Sequence, residues 1–310
     1  MKRVELHLHL DGSLDVEYAT KLVGRDATKD MVSKNDKSLK EYLEKFNLPG
    51  KLLSEYDDIV EFAYLLGKSL ENDGVIYAEI RFCPLFHNKK ISVDRVITGI
   101  RVGLAKVPTV KTNLIFCMMR HFSLQENLKI LNLAKKYWNN GCCGVDLAGD
   151  EAAFRTESFK TLFEKVRQSN IPYTIHAGEA DGASSVWAAV RFGAKRIGHG
   201  FKSIQDEALI KEIVDKKIVL EICPKSNLDT GNVLKITEHP IKDLVAAGVK
   251  VCINTDNRTV SETSLSNEEI LLHEAFGWGE KEFLEFNLNA IEAAFLSEEE
   301  KQELRKKLVN

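Results

Sequence analysis

Short apolar runs alternate with longer amphipathic stretches along this chain. The apolar runs are rich in β-branched residues, which is typical of buried strands, and the stretches between them repeat apolar residues at helical spacing. The predicted strands are Val4–Leu10, Val75–Phe82, Thr112–Met119, Gly144–Leu147, Tyr173–His176, Arg196–Gly198, Val219–Ile222 and Val251–Asn254. The predicted helices between them are Asp57–Leu70, Val93–Lys106, Leu124–Trp138, Glu157–Ser169, Ala183–Phe192, Asp206–Asp215 and Pro240–Ala247.

This alternation predicts an α/β fold with a parallel sheet, and eight units favour a (β/α)₈ TIM barrel. The length of 310 residues alone allows one large α/β domain or two ordinary ones. Since no linker interrupts the repeat, we expect a single domain over residues 1–310. Extra helices are expected after strand 1, where residues from about 15 to 56 form a lid-like helical insertion that includes Leu39–Phe46. Three more are expected at the C-terminus, over Glu268–Phe276, Glu280–Ala294 and Ser297–Leu308.

Composition narrows the class of protein. The chain is 44% hydrophobic and 29% charged, with a net charge of −3, so it has no basic stripe for nucleic acid. No apolar run reaches the length of a membrane span, and polar residues at 5, 7, 9 and 11 interrupt any apolar leader. The six cysteines form no Cys-x-x-Cys pair and are typical of small core residues in a reducing compartment, so a cytoplasmic location is expected.

The opening segment contains His7 and His9, one residue apart in a strand pattern. Residues i and i+2 of a strand point to the same side, so both imidazoles face one place. An isolated pair of this kind is more often structural, but two convergent imidazoles also form half of a site for zinc or a neighbouring first-row metal.

Other predicted strand ends carry ionisable residues as well. Strand 5 leads into His176 and Glu179, strand 6 into His199, and strand 8 into Asp256. Taken singly, His176 suits a hydrogen-bonded core histidine, Glu179 a helix-start carboxylate and Asp256 a helix N-cap. Because the carboxyl ends of barrel strands share one face, their joint placement favours a functional site there.

His7, His9, His176 and Asp256 would form a His₃Asp metal set with room for a water. Such a metal lowers the pKa of water towards about 7, which supplies a nucleophile at neutral pH. Glu179 is the candidate for proton transfer, and His199 for orienting the reacting groups.

Seven segments together resemble the adenosine deaminase family of metal-dependent hydrolases. They follow the family order from residue 4 to about 258 and cover the barrel. The segments are His7-Leu8-His9-Leu10-Asp11-Gly12-Ser13, Arg120-His121, Asp146-Leu147-Ala148-Gly149-Asp150-Glu151, His176-Ala177-Gly178-Glu179, Arg196-Ile197-Gly198-His199-Gly200, Cys223-Pro224-Lys225-Ser226-Asn227 and Thr255-Asp256-Asn257.

The resemblance implies hydrolytic deamination of adenosine and 2′-deoxyadenosine to inosine and 2′-deoxyinosine with release of ammonia, as part of purine metabolism. It implies one Zn²⁺ per chain and a small-molecule nucleoside substrate. The composition adds the expectation of no nucleic acid and no membrane partner, and the oligomeric state stays open. Position by position, it implies the following roles: His7, His9, His176 and Asp256 as zinc ligands, Glu179 as the acid that protonates purine N1, and His199 with Asp256 as the groups that orient the attacking water.

Substrate contacts are implied in the same way. His9 lies among the substrate-binding residues, Gly149 offers a backbone N–H to purine N3, and Asp11 contacts the ribose 5′-hydroxyl. Many family members have a second aspartate at purine N7 where this chain has Asn257, whose amide can donate at any pH. Leu43 and Phe46 resemble an apolar gate over the pocket.

Three alternatives to adenosine deamination can be compared with the sequence. Free adenine or a 5′-substituted nucleoside could be the substrate, although Asp11 would repel a phosphate. A non-catalytic relative is disfavoured because the ligands and Glu179 are all present. A cytidine-type zinc deaminase is set aside, since the chain lacks Pro-Cys-x-x-Cys. His87, His239 and His273 are expected to be ordinary surface or packing residues.

Overall fold

The computed structural model describes residues 1–34 and 39–309. Eight strands lie within these described residues, and the predicted set is confirmed with small shifts at the ends. They are β1 (Arg3–His9), β2 (Val75–Phe82), β3 (Lys111–Met119), β4 (Cys142–Ala148), β5 (His176–Ala177), β6 (Arg196–His199), β7 (Val219–Ile222) and β8 (Lys250–Ile253).

The strands pair in parallel in chain order. They form two four-stranded sheets, β1 to β4 and β5 to β8. Isolated parallel bridges join the sheets at both seams, between Leu8 and Asp256 on one side and between Val145 and Tyr173 on the other. The arrangement is that of a TIM barrel, as predicted.

Helices of the described residues follow the predicted alternation, with additional short ones. They are α1 (Val16–Val23), α2 (Thr28–Met31), α3 (Leu39–Glu44), α4 (Pro49–Leu52), α5 (Tyr56–Asn72), α6 (Val93–Ala105), α7 (Leu124–Lys136), α8 (Lys160–Ser169), α9 (Ala183–Phe192), α10 (Glu207–Asp215), α11 (Pro224–Asp229), α12 (Ile241–Ala246), α13 (Leu265–Phe276), α14 (Glu280–Ala293) and α15 (Glu298–Val309).

Local chemistry explains most of these boundaries. Helix α5 buries Ile59, Phe62, Ala63 and Leu66, which recur at helical spacing and face the barrel. Ser123 starts α7 with a capping box, in which its side chain and that of Glu126 bond each other's backbone N–H.

Two local predictions differ from the structure, and one helix was missed. The helix predicted from Glu157 begins with a 3₁₀ turn over Thr156–Phe159 before α8. Strand β5 is limited to His176–Ala177, although Tyr173 forms the seam bridge. Helix α11 at Pro224–Asp229 was not predicted, because six residues are too few to show helical periodicity.

The C-terminal helices cover the end of the barrel opposite the predicted site. Ala290 and Ile291 of α14 and Leu304 and Leu308 of α15 pack in one buried cluster with Val4 of β1. This cluster keeps the amino ends of the strands dry and leaves the carboxyl ends available for chemistry.

Among its described residues, the region between β1 and α5 holds four short helices, α1 to α4, which agrees with the extra helices predicted after strand 1. Among the described helices, none is both long and apolar enough to span a membrane. All six cysteines are buried free thiols.

Candidate metal and catalytic site

The carboxyl ends of three strands bring His7, His9, His176 and Asp256 together. Their ligand-type atoms all lie within 4.8 Å of one another. His7 and His9 lie on β1, His176 opens β5, and Asp256 follows β8 in a left-handed conformation with φ 60°. Residues separated by more than two hundred positions therefore share one point at the barrel mouth.

The Nε2 atoms of the three rings face inward. His9 Nε2 lies 3.2 Å from His176 Nε2 and 3.3 Å from Asp256 Oδ1. His7 Nε2 is buried, 3.5 Å from Asp256 Oδ1, and makes no hydrogen bond with any described residue. A buried nitrogen without a partner, among two further imidazoles and a carboxylate, fits a metal ligand.

Two buried carboxylates orient these rings from behind. Glu221 Oε2 lies 2.8 Å from His7 Nδ1, and Asp146 Oδ2 lies 2.9 Å from His176 Nδ1. Arg81 joins the two carboxylates, because its Nη1 contacts Asp146 at 3.0 Å and its Nη2 contacts Glu221 at 2.9 Å. A carboxylate at Nδ1 keeps the proton there and leaves the Nε2 lone pair free for a metal.

Electrostatics keep these carboxylates charged. Burial alone would raise the pKa of Glu221, but the charges of Arg81 and Arg196 hold the pKa of this carboxylate well below its usual value. Burial also opposes the charge on Asp146, and His176 and Arg81 outweigh it, so the pKa of Asp146 is lowered as well.

A second group of side chains also lies close enough together to hold a metal ion. His7, His199, Cys223 and Asp256 have ligand-type atoms within 4.8 Å of one another. Burial raises the pKa of the Cys223 thiol well above its usual value, whereas a thiol must lose its proton to bind a metal. The set with His9 and His176 therefore fits a metal better.

Glu179 and His199 lie beside the four ligand candidates. Glu179 Oε2 is 3.5 Å from His199 Nε2, and Asp256 Oδ2 is 4.0 Å from the same nitrogen. Burial, with the nearby charge of Asp256, raises the pKa of Glu179 to about 7. Glu179 is therefore partly protonated at neutral pH, as a proton donor has to be.

A chain of hydrogen bonds fixes the tautomer of His199. The Ile241 N–H donates to His239 Nδ1 at 3.1 Å, so a neutral His239 carries its proton on Nε2 and donates to Asn227 Oδ1 at 3.2 Å. Asn227 Nδ2 then donates to His199 Nδ1 at 3.1 Å. Burial lowers the pKa of both His239 and His199 to about 4. His199 is therefore neutral at pH 7, with its proton on Nε2 facing the site.

The predicted substrate contacts lie around the same mouth. Asp11 follows β1, and its Oδ1 is 2.7 Å from Nε2 of the buried His87. Gly149 follows β4 in a conformation with φ 105°, which favours glycine. Asn257 is buried and approaches Gly12 so closely that a Cβ there would lie 1.9 Å from Asn257 Oδ1.

Tyr42 of α3 reaches this part of the site. Asn257 Nδ2 donates to the Tyr42 hydroxyl at 2.9 Å, and Ser261 Oγ lies 3.1 Å from the same oxygen. Leu43 is 40% exposed, whereas Phe46 is half-buried, with its ring centre 6.2 Å from that of Tyr42. The gate role of Leu43 and Phe46 stays a prediction.

Sequence reasoning missed several residues of this site. His87 and His239 are buried packing residues, and each also contacts a residue of the site, Asp11 and Asn227 respectively. His273 is exposed on α13, where its Nδ1 lies 2.7 Å from Trp278 O. No local pattern marks these histidines. A signal did exist for Arg81 and Glu221, because each is a charged residue inside a mostly apolar strand.

Comparison with known proteins identifies the family. The adenosine deaminase family profile matches residues 2–310. The chain is 39% identical to an adenosine deaminase of Haemophilus ducreyi, over 97% of this chain and 94% of that protein. It is 37% identical to an adenosine deaminase of Clostridium acetobutylicum, over 99% of this chain and 97% of that protein.

Solved structures show the same fold. An adenine deaminase from Arthrobacter aurescens superposes with a TM-score of 0.89 at 22% identity, over 99% of this chain and 98% of that chain. The matches of sequence extend over nearly the whole length of each protein. This chain belongs to the adenosine deaminase family.

Proposed function

We propose that this protein is a zinc-dependent adenosine deaminase that converts adenosine and 2′-deoxyadenosine to inosine and 2′-deoxyinosine with release of ammonia. The observation that carries the proposal is the cluster of three imidazole nitrogens and the Asp256 carboxylate within 4.8 Å, with Glu179 beside it. The relatives named adenosine deaminase at 39% and 37% identity support this substrate.

His7, His9, His176 and Asp256 would hold one zinc ion per chain. Three imidazoles and one carboxylate suit zinc, and the unpartnered His7 Nε2 supports this assignment. Bound zinc supplies Lewis-acid chemistry that makes water nucleophilic at neutral pH. The carboxylates behind His7 and His176 hold the two rings in the orientation that this requires.

Glu179 would donate a proton to purine N1 and so make C6 electrophilic. A carboxyl with a pKa of about 7 retains a proton for part of the time at neutral pH and returns to its protonated state readily. His199, with its proton on Nε2, would donate a hydrogen bond to the attacking oxygen. Asp256, which accepts from Ser226 Oγ at 2.6 Å, would accept a second hydrogen bond from the nucleophile.

Asp11, Gly149, Asn257 and His9 would bind the substrate. Asp11 would accept from the ribose 5′-hydroxyl, Gly149 N–H would donate to N3, and the Asn257 amide would donate to N7. Nδ2 carries two hydrogens, so Asn257 can donate to Tyr42 and to N7 together.

We also propose that residues 1–310 form one domain and that the insertion at about 15–56, with Leu43 and Phe46, acts as a lid over the pocket. Exclusion of water under such a lid would strengthen every polar contact inside. A cytoplasmic location stays a prediction from the sequence. So does the expectation that the protein binds a small-molecule substrate but no nucleic acid or membrane.

The experiment compares adenosine, 2′-deoxyadenosine, adenine and AMP at equal concentration, and follows ammonia release together with the loss of adenine absorbance. We expect turnover of both nucleosides, loss of activity on chelation and its return with zinc. Glu179→Gln is expected to lose at least about 100-fold in kcat, whereas Glu126→Gln on the surface of α7 serves as the matched control. Preference for adenine or AMP, or no turnover of any of the four, would contradict the proposal.

A further inference from the structure

Glu151 lies just beyond β4 and has no role in the reaction described so far. Its carboxylate is nearly fully buried, at 2% exposure. Oε1 accepts from Gly178 N at 2.6 Å, and Oε2 accepts from three consecutive N–H groups of the next loop. These are Glu179 N at 3.0 Å, Ala180 N at 2.7 Å and Asp181 N at 3.0 Å.

These four consecutive amides belong to the loop between β5 and α9. A run of N–H groups that converges on one point forms a nest for an anion, and here the anion is a side chain of the same protein. Ser185 Oγ of α9 donates to Oε1 as well. The Glu151 carboxylate thus binds four N–H groups of the loop and one hydroxyl of α9.

The loop has little freedom to adopt another path. Gly178 has φ 74°, and a Cβ there would lie 2.4 Å from Val186 Cγ2, so the turn fits only glycine. On the other side, Arg120 Nη2 donates to His176 O at 2.6 Å, which fixes the chain just before the turn.

Charge favours the same arrangement. Burial alone would raise the pKa of Glu151, but the Ser185 hydrogen bond, the charge of Arg120 and the backbone N–H groups hold it below its usual value. The carboxylate therefore stays ionised, and hydrogen bonds to an ionised acceptor are about twice as strong as neutral ones.

We propose that Glu151 is a positioning residue for Glu179: it binds the 178–181 backbone and so aims the Glu179 carboxyl at the substrate. This inference rests on the proposed function, in which Glu179 is the proton donor. Glu151 does not touch the substrate in this account. Its whole contribution to turnover passes through Glu179.

Two consequences follow for Glu151→Gln. An amide has one acceptor oxygen, so at least one of the loop N–H groups loses its partner and the others bond a neutral group. A displacement of the proton donor of order 1 Å can cost about 100-fold in rate. The loss cannot exceed what Glu179 itself supplies, which general acid catalysis places at about 10²- to 10⁴-fold.

The experiment is a double-mutant cycle with Glu151→Gln, Glu179→Gln and the double variant. Glu126→Gln is the matched control, because Glu126 also accepts a backbone N–H, from Ser123 at 2.8 Å, but on the surface. We expect Glu151→Gln to lower kcat about 10- to 100-fold with KM within about threefold. In the Glu179→Gln background the same change is expected to cost less than about threefold.

Two further readouts separate positioning from a general loss of structure. Hydrogen exchange at amides 178–181 is expected to speed up about tenfold or more in Glu151→Gln, while that of strand β6 stays unchanged. Metal content is expected to stay at the wild-type value. Additive losses in the cycle, unchanged exchange at 178–181, or loss of metal would each overturn the inference. Absence of adenosine turnover in the wild type would contradict the proposed function instead, and the exchange measurement would still decide whether Glu151 holds the loop.

Discussion

Replacing Asn227 by aspartate exchanges a donor for an acceptor at His199 Nδ1 with almost no change in shape. In the wild type, Asn227 Nδ2 donates to His199 Nδ1 at 3.1 Å, and His239 Nε2 donates to Asn227 Oδ1 at 3.2 Å. A carboxylate at this position can only accept, so His199 would move its proton to Nδ1 to satisfy it. Nε2 would then present a lone pair to Glu179 and Asp256, 3.5 and 4.0 Å away.

The expected loss can be estimated from the role of the Nε2 proton. Removing one preorganised donor to a developing oxyanion costs about 10²- to 10³-fold in kcat. In serine proteases, the opposite change of aspartate to asparagine behind a histidine costs about 10⁴-fold through the wrong tautomer. We therefore expect Asn227→Asp to lower kcat about 10²- to 10³-fold and to leave KM within a few fold.

The assay combines steady-state kinetics with ¹⁵N NMR of labelled histidine, which distinguishes the two tautomers directly. Asn232→Asp is the matched control, because the Asn232 amide donates to Thr230 Oγ1 at 2.9 Å, to a hydroxyl instead of a histidine ring. Two results would refute the proposed control of the His199 tautomer by Asn227. One is that His199 keeps its proton on Nε2 in Asn227→Asp, and the other is that kcat stays within about threefold of the wild type.

Three more predictions concern groups at the barrel mouth. Burial raises the pKa of Glu179 to about 7, and its protonated form is the donor. We therefore expect kcat/KM to fall as pH rises through about 7, by about tenfold per pH unit. A pH–rate profile with no fall up to pH 9 would contradict this role of Glu179. Tyr42→Phe removes the acceptor for Asn257 Nδ2 and is expected to raise KM for adenosine about 2- to 10-fold. The effect on 7-deazaadenosine, which lacks N7, is expected to be smaller, and equal effects on both substrates would argue against a hydrogen bond from Asn257 to N7. His87→Ala removes the side chain that holds Asp11 in place for the 5′-hydroxyl. It is expected to lower kcat/KM about tenfold for adenosine but less than about twofold for 5′-deoxyadenosine. A similar loss for both substrates would show that His87 acts only on stability.

The fold was predictable because its signal is local and repeated. Each strand of the barrel is a short apolar run, and helices such as α9, Ala183–Phe192, show their buried face in the spacing of apolar residues. The prediction of strand β5 was the weakest of the eight, since two paired residues carry almost no periodic signal. The order of strands follows from the parallel topology, which places all carboxyl ends on one face.

The candidate ligands could also be read from the sequence, because each follows a predicted strand on that face. The groups behind them could not. His239 reaches His199 only through Asn227, and Glu151 meets the 178–181 loop across the gap between two successive units. Such contacts depend on how loops pack in three dimensions, and no spacing along the chain encodes them.

Tyr42 illustrates the same limit within the predicted lid. The resemblance pointed to Leu43, its neighbour, yet on a helix successive residues face about 100° apart. The buried Tyr42 hydroxyl accepts a hydrogen bond from Asn257, whereas Leu43 is 40% exposed. The rotation of this helix about its own axis could be known only from the packed structure.

Anomalous scattering at the zinc edge from crystals of untreated protein, with elemental analysis of the same material, would locate and identify the metal. Our prediction is one zinc per chain, bonded to Nε2 of His7, His9 and His176 and to the Asp256 carboxylate. A folded protein without metal, or a peak on the side of Cys223 and His199 away from His9, would contradict it.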